Sequence, residues 1–443
     1  PRVSRIVRVV RARLYYPRLM SRPFEKVALA DAVGHLRPGM KVLLPAGCGD
    51  PVALLAEILR QADRLAPLTL MGGLRLDDYP FAAPEYAGKL RFATWHHSPK
   101  LAQAQARGDV DFVPIRYFDT VSVFAEGGAW APDAVIVHCA PPDRAGYLSL
   151  GVSVSYSLGA ARRAPLVIAQ VNPRMPRTLG NAFLHRSQID CWAEAEHPLA
   201  EYPPTAVGDV ERRIAGRVAD LIPDGSTVQV GVGSIPQAVM EALAGKRDLG
   251  VHSLLVDHML PLIESGVINN SRKRLHPGRM DVGEIMGTER LFRWAHDNPM
   301  VNMEPSDIVH DPQVVGTLGD FVSVNSAIEV DLLGQVNAES VEGRQVTGIG
   351  GQFDFVLGAR QAAGGRSVIA LPSTGRQGKV SRIVARLPAG ARVTTPRFIA
   401  DYVVTEWGTA SLRGKSDAGR ARELCRVAHP AFRESLEREV ATS

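Results

Sequence analysis

The sequence predicts an α/β protein made of two halves, each a parallel sheet covered by helices on both faces. Three observations carry this. Short apolar strands alternate with amphipathic helical segments along the whole chain, the pattern of sheets buried on both sides. A run of features also repeats. LRPGMKVLLPAGCGDPVALLAEIL (36–59) and LIPDGSTVQVGVGSIPQAVMEAL (221–243) each pass from a Pro/Gly turn through a strand, a glycine loop and a proline to an amphipathic helix. Finally, periodicity lapses over AEHPLAEYPPTAVGD (195–209), where proline and acidic residues cluster. We expect domains at 1–200 and 201–443, the second carrying the richer glycine loops.

The elements follow in order. Met40–Leu44 reads as a buried strand, PAGCGDP as a turn, and 52–65 as a helix. Ala134–His138 and Leu166–Val171 are further strands. Ser226–Val230 leads through GVGSIP into a helix over 237–245. Ser367–Leu371 and Tyr402–Thr405 complete the set.

Composition narrows the function. The 443 residues are 45% hydrophobic and 22% charged, which excludes a long disordered chain. No run approaches the roughly 18 apolar residues of a membrane span, so no membrane partner is expected. Four cysteines lie far apart with no CxxC pair, which argues against a zinc ribbon or a disulfide scaffold and for a reducing, cytoplasmic location. The net charge of +5 is a property of one end. Residues 1–24 hold seven arginines and no acid, which leaves the rest of the chain at −2. That distribution speaks against nucleic acid. The segment reads either as a targeting or anionic-surface arm or as a solvated first helix packing Val9, Leu14 and Tyr15; the second is favoured. No apolar core precedes a small-residue cleavage site, against a secretory signal.

Most generic motifs are absent. There is no GxxxxGK[ST] and no HExxH. Gly231-Val232-Gly233-Ser234-Ile235-Pro236 begins like a dinucleotide fingerprint but has proline at the third glycine position. His96-His97 has no carboxylate or cysteine at ligand spacing, so we expect a loop pair and no metal site. Two glycine loops remain. Gly231–Pro236 joins a strand to a helix, where free N–H groups and the positive helix end suit a phosphate or a developing oxyanion. Gly348-Ile349-Gly350-Gly351-Gln352 allows close backbone approach and aims N–H groups at one point. The alternative is that both are tight turns.

At this point the residues carry a resemblance. PPDRAGYLSLGVSVSY (141–156), MPRTLGNAFLH (175–185), VGVGSIPQAV (230–239), GVHS (250–253), NPMV (298–301), VNSAIEVDLLGQVNAES (324–340), GIGGQFDF (348–355), VTTPRFIADYVVTEWG (393–408), LRGKS (412–416) and AHPAFRE (428–434) resemble the acetyl-CoA hydrolase/transferase family of class I CoA-transferases. The likeness runs from about Phe24 to Leu436. It implies the class I CoA-transferase fold, two α/β halves with the active site in the cleft between them, assembled as a homodimer or higher homo-oligomer. It implies acyl-CoA as substrate, with no tightly bound cofactor. Gly231–Pro236 matches a CoA-contacting loop. Gly348, Gly350, Gly351 and Gln352 match the loop that binds CoA and holds the thioester oxyanion. Gln335 and Asn337 lie in a stretch lining the same cleft.

One departure stands out. The family pattern G-[VI]-H-[ST]-E-M carries a nucleophilic Glu, and here the stretch is Gly250-Val251-His252-Ser253-Leu254-Leu255. Leu254 takes the Glu position, and an aliphatic chain can neither attack a thioester nor carry CoA. Val256 and His258 also replace family residues, so the pocket wall is remodelled. Asp257 sits at an odd offset, on the opposite strand face, and Glu264 lies further along a helix; neither is expected to substitute. His258 is either a general base or a packing histidine, and His252 reads as structural. Cys48 is either a nucleophile activated by a helix end or a small buried residue. Arg376, Lys379 and Arg382 are either clamps for the CoA phosphates or a solvated basic turn. The expected activity is transfer of an acyl group from acyl-CoA directly to a non-carboxylate acceptor, a small amine, an alcohol or water, without a glutamyl-CoA intermediate. The alternatives are a hydrolase or carboxylate CoA-transferase with a substitute nucleophile, and a CoA-ester-binding homologue without catalysis.

Overall fold

A strand covered on both faces has no polar side, so runs of β-branched and small apolar residues become the sheet centres. Ala134–Cys139 is the clearest case, with all six residues buried. The computed structural model describes residues 22–76 and 78–441. The arginine-rich segment before Arg22, and both readings placed on it, lie outside the described residues. Arg22 itself pairs with Asp190 and donates to the Ala164 carbonyl at 2.6 Å.

The first sheet contains β1 (Glu25–Lys26), β2 (Lys41–Leu43), β3 (Leu68–Gly72), β4 (Leu90–Thr94), β5 (Val110–Phe112), β6 (Ala134–Cys139), β7 (Leu166–Val171) and β8 (Cys191–Glu194). Its order is β1-β8-β7-β6-β2-β3-β4-β5, parallel throughout. The second contains β9 (Thr227–Val230), β10 (Gly250–Val256), β11 (Met280–Met286), β12 (Val301–Met303), β13 (Phe321–Ser326), β14 (Arg366–Ala370), β15 (Tyr402–Thr405) and β16 (Gly408–Ser411). Its order is β12-β11-β10-β9-β13-β14-β15-β16, antiparallel only at the last pair.

The two sheets are wound alike. From β2, three successive strands extend one way and β6, β7, β8 the other; from β9, three extend one way and β13, β14, β15 the other. The sequence echo of 36–59 in 221–243 therefore marks equivalent strands, β2 and β9.

Each is followed by a glycine loop and a helix. α1 (Val52–Arg60) buries Leu54, Leu55 and Ile58 on one stripe. The helix expected over 52–65 divides at Gln61, and a short turn of helix, Ala62–Leu65, follows. α2 (Ser155–Ala161), α3 (Ser234–Ala242), α4 (Glu289–Ala295) and α5 (Gln352–Gln361) bear on the site below. Among the described residues, no helix is long and apolar enough to cross a membrane.

The halves are stitched by backbone. Ile285 N–H donates to the Val152 carbonyl at 2.8 Å, and Val154 N–H to the Gly283 carbonyl at 3.0 Å. Asn181 N–H donates to the Met303 carbonyl at 2.7 Å, and Met303 N–H to the Leu179 carbonyl at 3.0 Å. Two of the longest sequence motifs, 141–156 and 175–185, thus supply seam segments that lie against β11 and β12.

Candidate active site

Open parallel sheets bind ligands beyond the carboxyl ends of their strands, where the winding reverses. Here those points are β2/β6 and β9/β13. The loop 45–51 leaves the first and Gly231–Gly233 the second. The two sheets present these ends toward one region: Cys48 Sγ lies 4.0 Å from the Gly287 carbonyl just past β11, and a Cβ on Gly47 would touch Met286 at 3.6 Å.

Gly231 and Gly233 border open space, with no atom within 4 Å of an added Cβ. Gly233 caps α3 with φ of 111°. The first-turn amides of the helix, which lack intrahelical partners, follow at Ser234 and Ile235. The second loop is tightly held. A Cβ on Gly348 would collide with the Trp95 carbonyl oxygen, and one on Gly351 would strike the His310 ring. These glycines let the loop lie directly on the end of β4 and on His310. The Gly350 carbonyl accepts from Tyr117 N–H at 3.3 Å. Gln352 opens α5 and reaches Thr395 Oγ1 at 3.3 Å. His96, read as a plain loop residue, touches this loop: its Nε2 lies 3.3 Å from Thr347 Oγ1, and burial pushes its pKa down to about 4.

Leu254 sits on β10 at an irregularity. Ser253 pairs with Val282 but Leu254 pairs with Glu284, so Gly283 is passed over. Ser253 has φ of 90°, a strained conformation for a residue with a side chain. Strain of this kind concentrates where a side chain must be aimed. Leu254 is half-buried.

Its strand partner is a carboxylate that sequence reasoning missed. Glu284 accepts from the Ser153 hydroxyl at 3.1 Å through Oε1, while Oε2 is buried without a partner. Burial pushes its carboxyl well above the usual range, against the pull of the neighbouring serine hydroxyls.

The remaining candidates separate. Asp257 accepts from Thr288 N–H at 2.6 Å and Thr288 Oγ1 at 2.9 Å, at the N-terminus of α4. Glu264 pairs with Arg290 at 2.9 Å on the surface. His258 has a buried Nε2 without a partner, and burial lowers its pKa to about 4. His252 Nε2 binds the Val309 carbonyl at 2.8 Å. Gln335 donates to Asp331 at 2.6 Å. Asn337 is fully buried and commits its amide to Glu329, Ser340 and Glu339. Arg376 pairs with exposed Glu342, while Lys379 and Arg382 lie on or beside the hairpin Thr374–Ser381. His276, Asp281 and Glu304 bring ligand atoms within 4.8 Å of one another, but the Lys273 ammonium already stands 2.7 Å from Asp281.

Cys48 is no activated nucleophile. Burial pushes its thiol up to about 12, and the carboxylates of Glu284, Asp257 and Glu201 add to that. All four cysteines are buried and unpaired. Native protein at pH 8 should therefore resist iodoacetamide at Cys48 while the urea-unfolded chain labels at all four; labelling of native Cys48 at the unfolded rate would contradict the geometry.

Two similarly wound parallel sheets thus meet near their carboxyl ends with a glycine loop on each, a two-half α/β architecture. The profile of the acetyl-CoA hydrolase/transferase N-terminal domain matches residues 14–200, and that of the C-terminal domain residues 287–440. The chain is 41% identical over 417 residues to the 4-hydroxybutyrate coenzyme A transferase of Clostridium kluyveri, covering 94% of this chain and 97% of that one. It is 37% identical over 412 residues to the succinyl-CoA:cyclohexane-1-carboxylate CoA transferase of Geobacter metallireducens, covering 92% of each. The crystal structure of RipA from Yersinia pestis has a TM-score of 0.89 at 32% identity, covering 94% of this chain and 97% of that one. The chain belongs to the acetyl-CoA hydrolase/transferase family of enzymes.

Proposed function

We propose that the protein cleaves acyl-CoA thioesters in the cleft between its halves and passes the acyl group directly to a small acceptor, water, an amine or an alcohol. No CoA becomes attached to the chain. The observation that carries this reading is Leu254, an aliphatic side chain on the strained turn of β10. The Gly231–Gly233 loop, its glycines open to space at the head of α3, takes a CoA phosphate or the thioester. The amides of Gly350, Gly351 and Gln352 at the head of α5 hold the carbonyl oxygen as it becomes negative. A groove of about 890 Å³ between Phe112 and Pro114 of one half and Arg344, Ile349, Arg392 and Val393 of the other leads to this loop. Its size suits a cofactor-length ligand, and its two arginines suit phosphates. The resemblance to class I CoA-transferases adds a homodimer or higher homo-oligomer.

Acetyl-CoA and butyryl-CoA, incubated with water alone, ethanolamine, ethanol or acetate, test this by thiol release. The expected result is release that rises with the amine or alcohol and not with acetate, while the intact mass of the protein stays constant. A borohydride-sensitive adduct with the mass of CoA would overturn it.

A further inference from the structure

We infer that Glu284 is the acid–base residue of this site, taking a proton from the attacking acceptor and returning it to the CoA sulfur. The inference rests on the direct-transfer reading above and deepens it by naming the residue that handles the acceptor's proton.

Three geometric facts support it. First, Glu284 lies across the ladder from Leu254, the two being Cα partners on parallel strands at the bulge. Second, it stands where the halves meet. It bridges to Ser153 of the seam segment, and the flanking Gly283 and Ile285 bond to Val154 and Val152. Third, the carboxyl is only half engaged. Ser153 donates to Oε1 at 3.1 Å, the Ser155 hydroxyl stands beside the carboxyl while sharing a 2.9 Å hydrogen bond with Ser306, and Oε2 makes no well-formed hydrogen bond of its own. A buried polar atom left unpaired is costly unless something else needs it.

The surroundings fit acid–base work better than nucleophilic work. Glu284 is half-buried, and surroundings that favour its neutral carboxylic acid make it a stronger base once ionised and a ready donor once protonated. Tyr117, Tyr156 and Cys48 of the first half lie near enough for the Glu284 charge to act on them. All three are themselves pushed up by burial, so none of them competes for a proton near neutrality.

The step balances. Ionised Glu284 removes the acceptor proton as the acceptor O or N bonds to the thioester carbon. The C=O electron pair moves onto oxygen, held by the α5 amides. When C=O re-forms, the C–S bond breaks and Glu284 returns the proton to sulfur. Acyl-CoA and H-acceptor become acyl-acceptor and CoA-SH.

The experiment is kcat/KM for thiol release from acetyl-CoA against pH, in wild type, Glu284→Gln and Glu284→Asp, with melting curves as the fold control. Glu284→Gln keeps the shape and a partner for Ser153. It should lose about 10²–10⁴-fold, and Glu284→Asp should recover part of that. Wild-type kcat/KM should rise with pH as Glu284 ionises, and that limb should vanish in Glu284→Gln. Asp354, in α5 beside the loop, is also raised, to about 7, so the limb must persist in Asp354→Asn. Wild-type rates and an unchanged limb in Glu284→Gln would overturn the role of Glu284 and leave direct transfer standing. No thiol release from wild type with any acceptor would remove direct transfer itself, and the role with it. A CoA adduct mapped to the peptide bearing Glu284 would overturn both in favour of a nucleophile on β11.

Discussion

Leu254→Glu should convert the enzyme toward carboxylate CoA transfer. The variant places a carboxylate at the bulge of β10, where the wild type has an aliphatic side chain. Acyl-CoA then meets a protein nucleophile, and a CoA-mass adduct should accumulate that borohydride removes. The neighbour limits the gain. The introduced carboxylate would stand beside Glu284 across the ladder, and two adjacent, half-buried carboxylates do not readily both ionise. A one-unit upward shift alone costs about 1.4 kcal/mol, or about tenfold in the reactive form. Leu254→Glu with Glu284→Gln should therefore exceed the single variant by about tenfold in acetate-dependent CoA exchange, provided the double variant melts like wild type. If both variants fold and neither forms an adduct, position 254 does not face the thioester.

How much of this was readable in the sequence follows from what local spacing encodes. The helix after β9 was expected over 237–245 but runs Ser234–Ala242, its first turn taking up residues read as loop, whereas the strands over 134–138 and 166–171 were legible because each is set by its own composition. So were both glycine loops. Glu284 was not. Its relation to Leu254 depends on the register of two parallel strands thirty residues apart, shifted by one residue at Gly283, and nothing in either strand's pattern fixes that shift. A search for a substitute carboxylate along the same segment meets Asp257 and Glu264, and both are engaged elsewhere, with Thr288 and Arg290. The seam motifs 141–156 and 175–185 stood out as family signatures, yet their physical task, edge-on backbone pairing with the other half, emerges only in three dimensions. Asn337 shows the converse. It belongs to a cleft-lining stretch by resemblance, but its amide is spent on the turn it sits in.

The loop that brings the first half to the site should fail when its buried ion pair is broken. Arg75 Nη1 donates to Asp50 Oδ1 at 2.6 Å, and Nη2 lies 2.5 Å from Oδ2. Both side chains are nearly inaccessible, at 4% and 2%. The guanidinium also lies over the Phe81 ring, 5.4 Å from its centre. Asp50 follows Gly47-Cys48-Gly49 and precedes α1, so the pair ties the loop to the segment after β3, where Gly47 N–H meets the Leu74 carbonyl at 2.8 Å. Arg75→Ala leaves a carboxylate buried without its main counter-charge, a change that typically costs about 3–5 kcal/mol. Part of that loss is local, because the loop can open without unfolding either sheet. The variant should show a lower urea midpoint and, in native buffer, faster iodoacetamide labelling of Cys48, with thiol release falling in parallel. Removing both charges, with Arg75→Met and Asp50→Leu together, should recover stability over the single variant, since the uncompensated carboxylate is gone. If the single variant melts like wild type and Cys48 stays protected, the pair is a passenger and the loop is held by its backbone contacts alone.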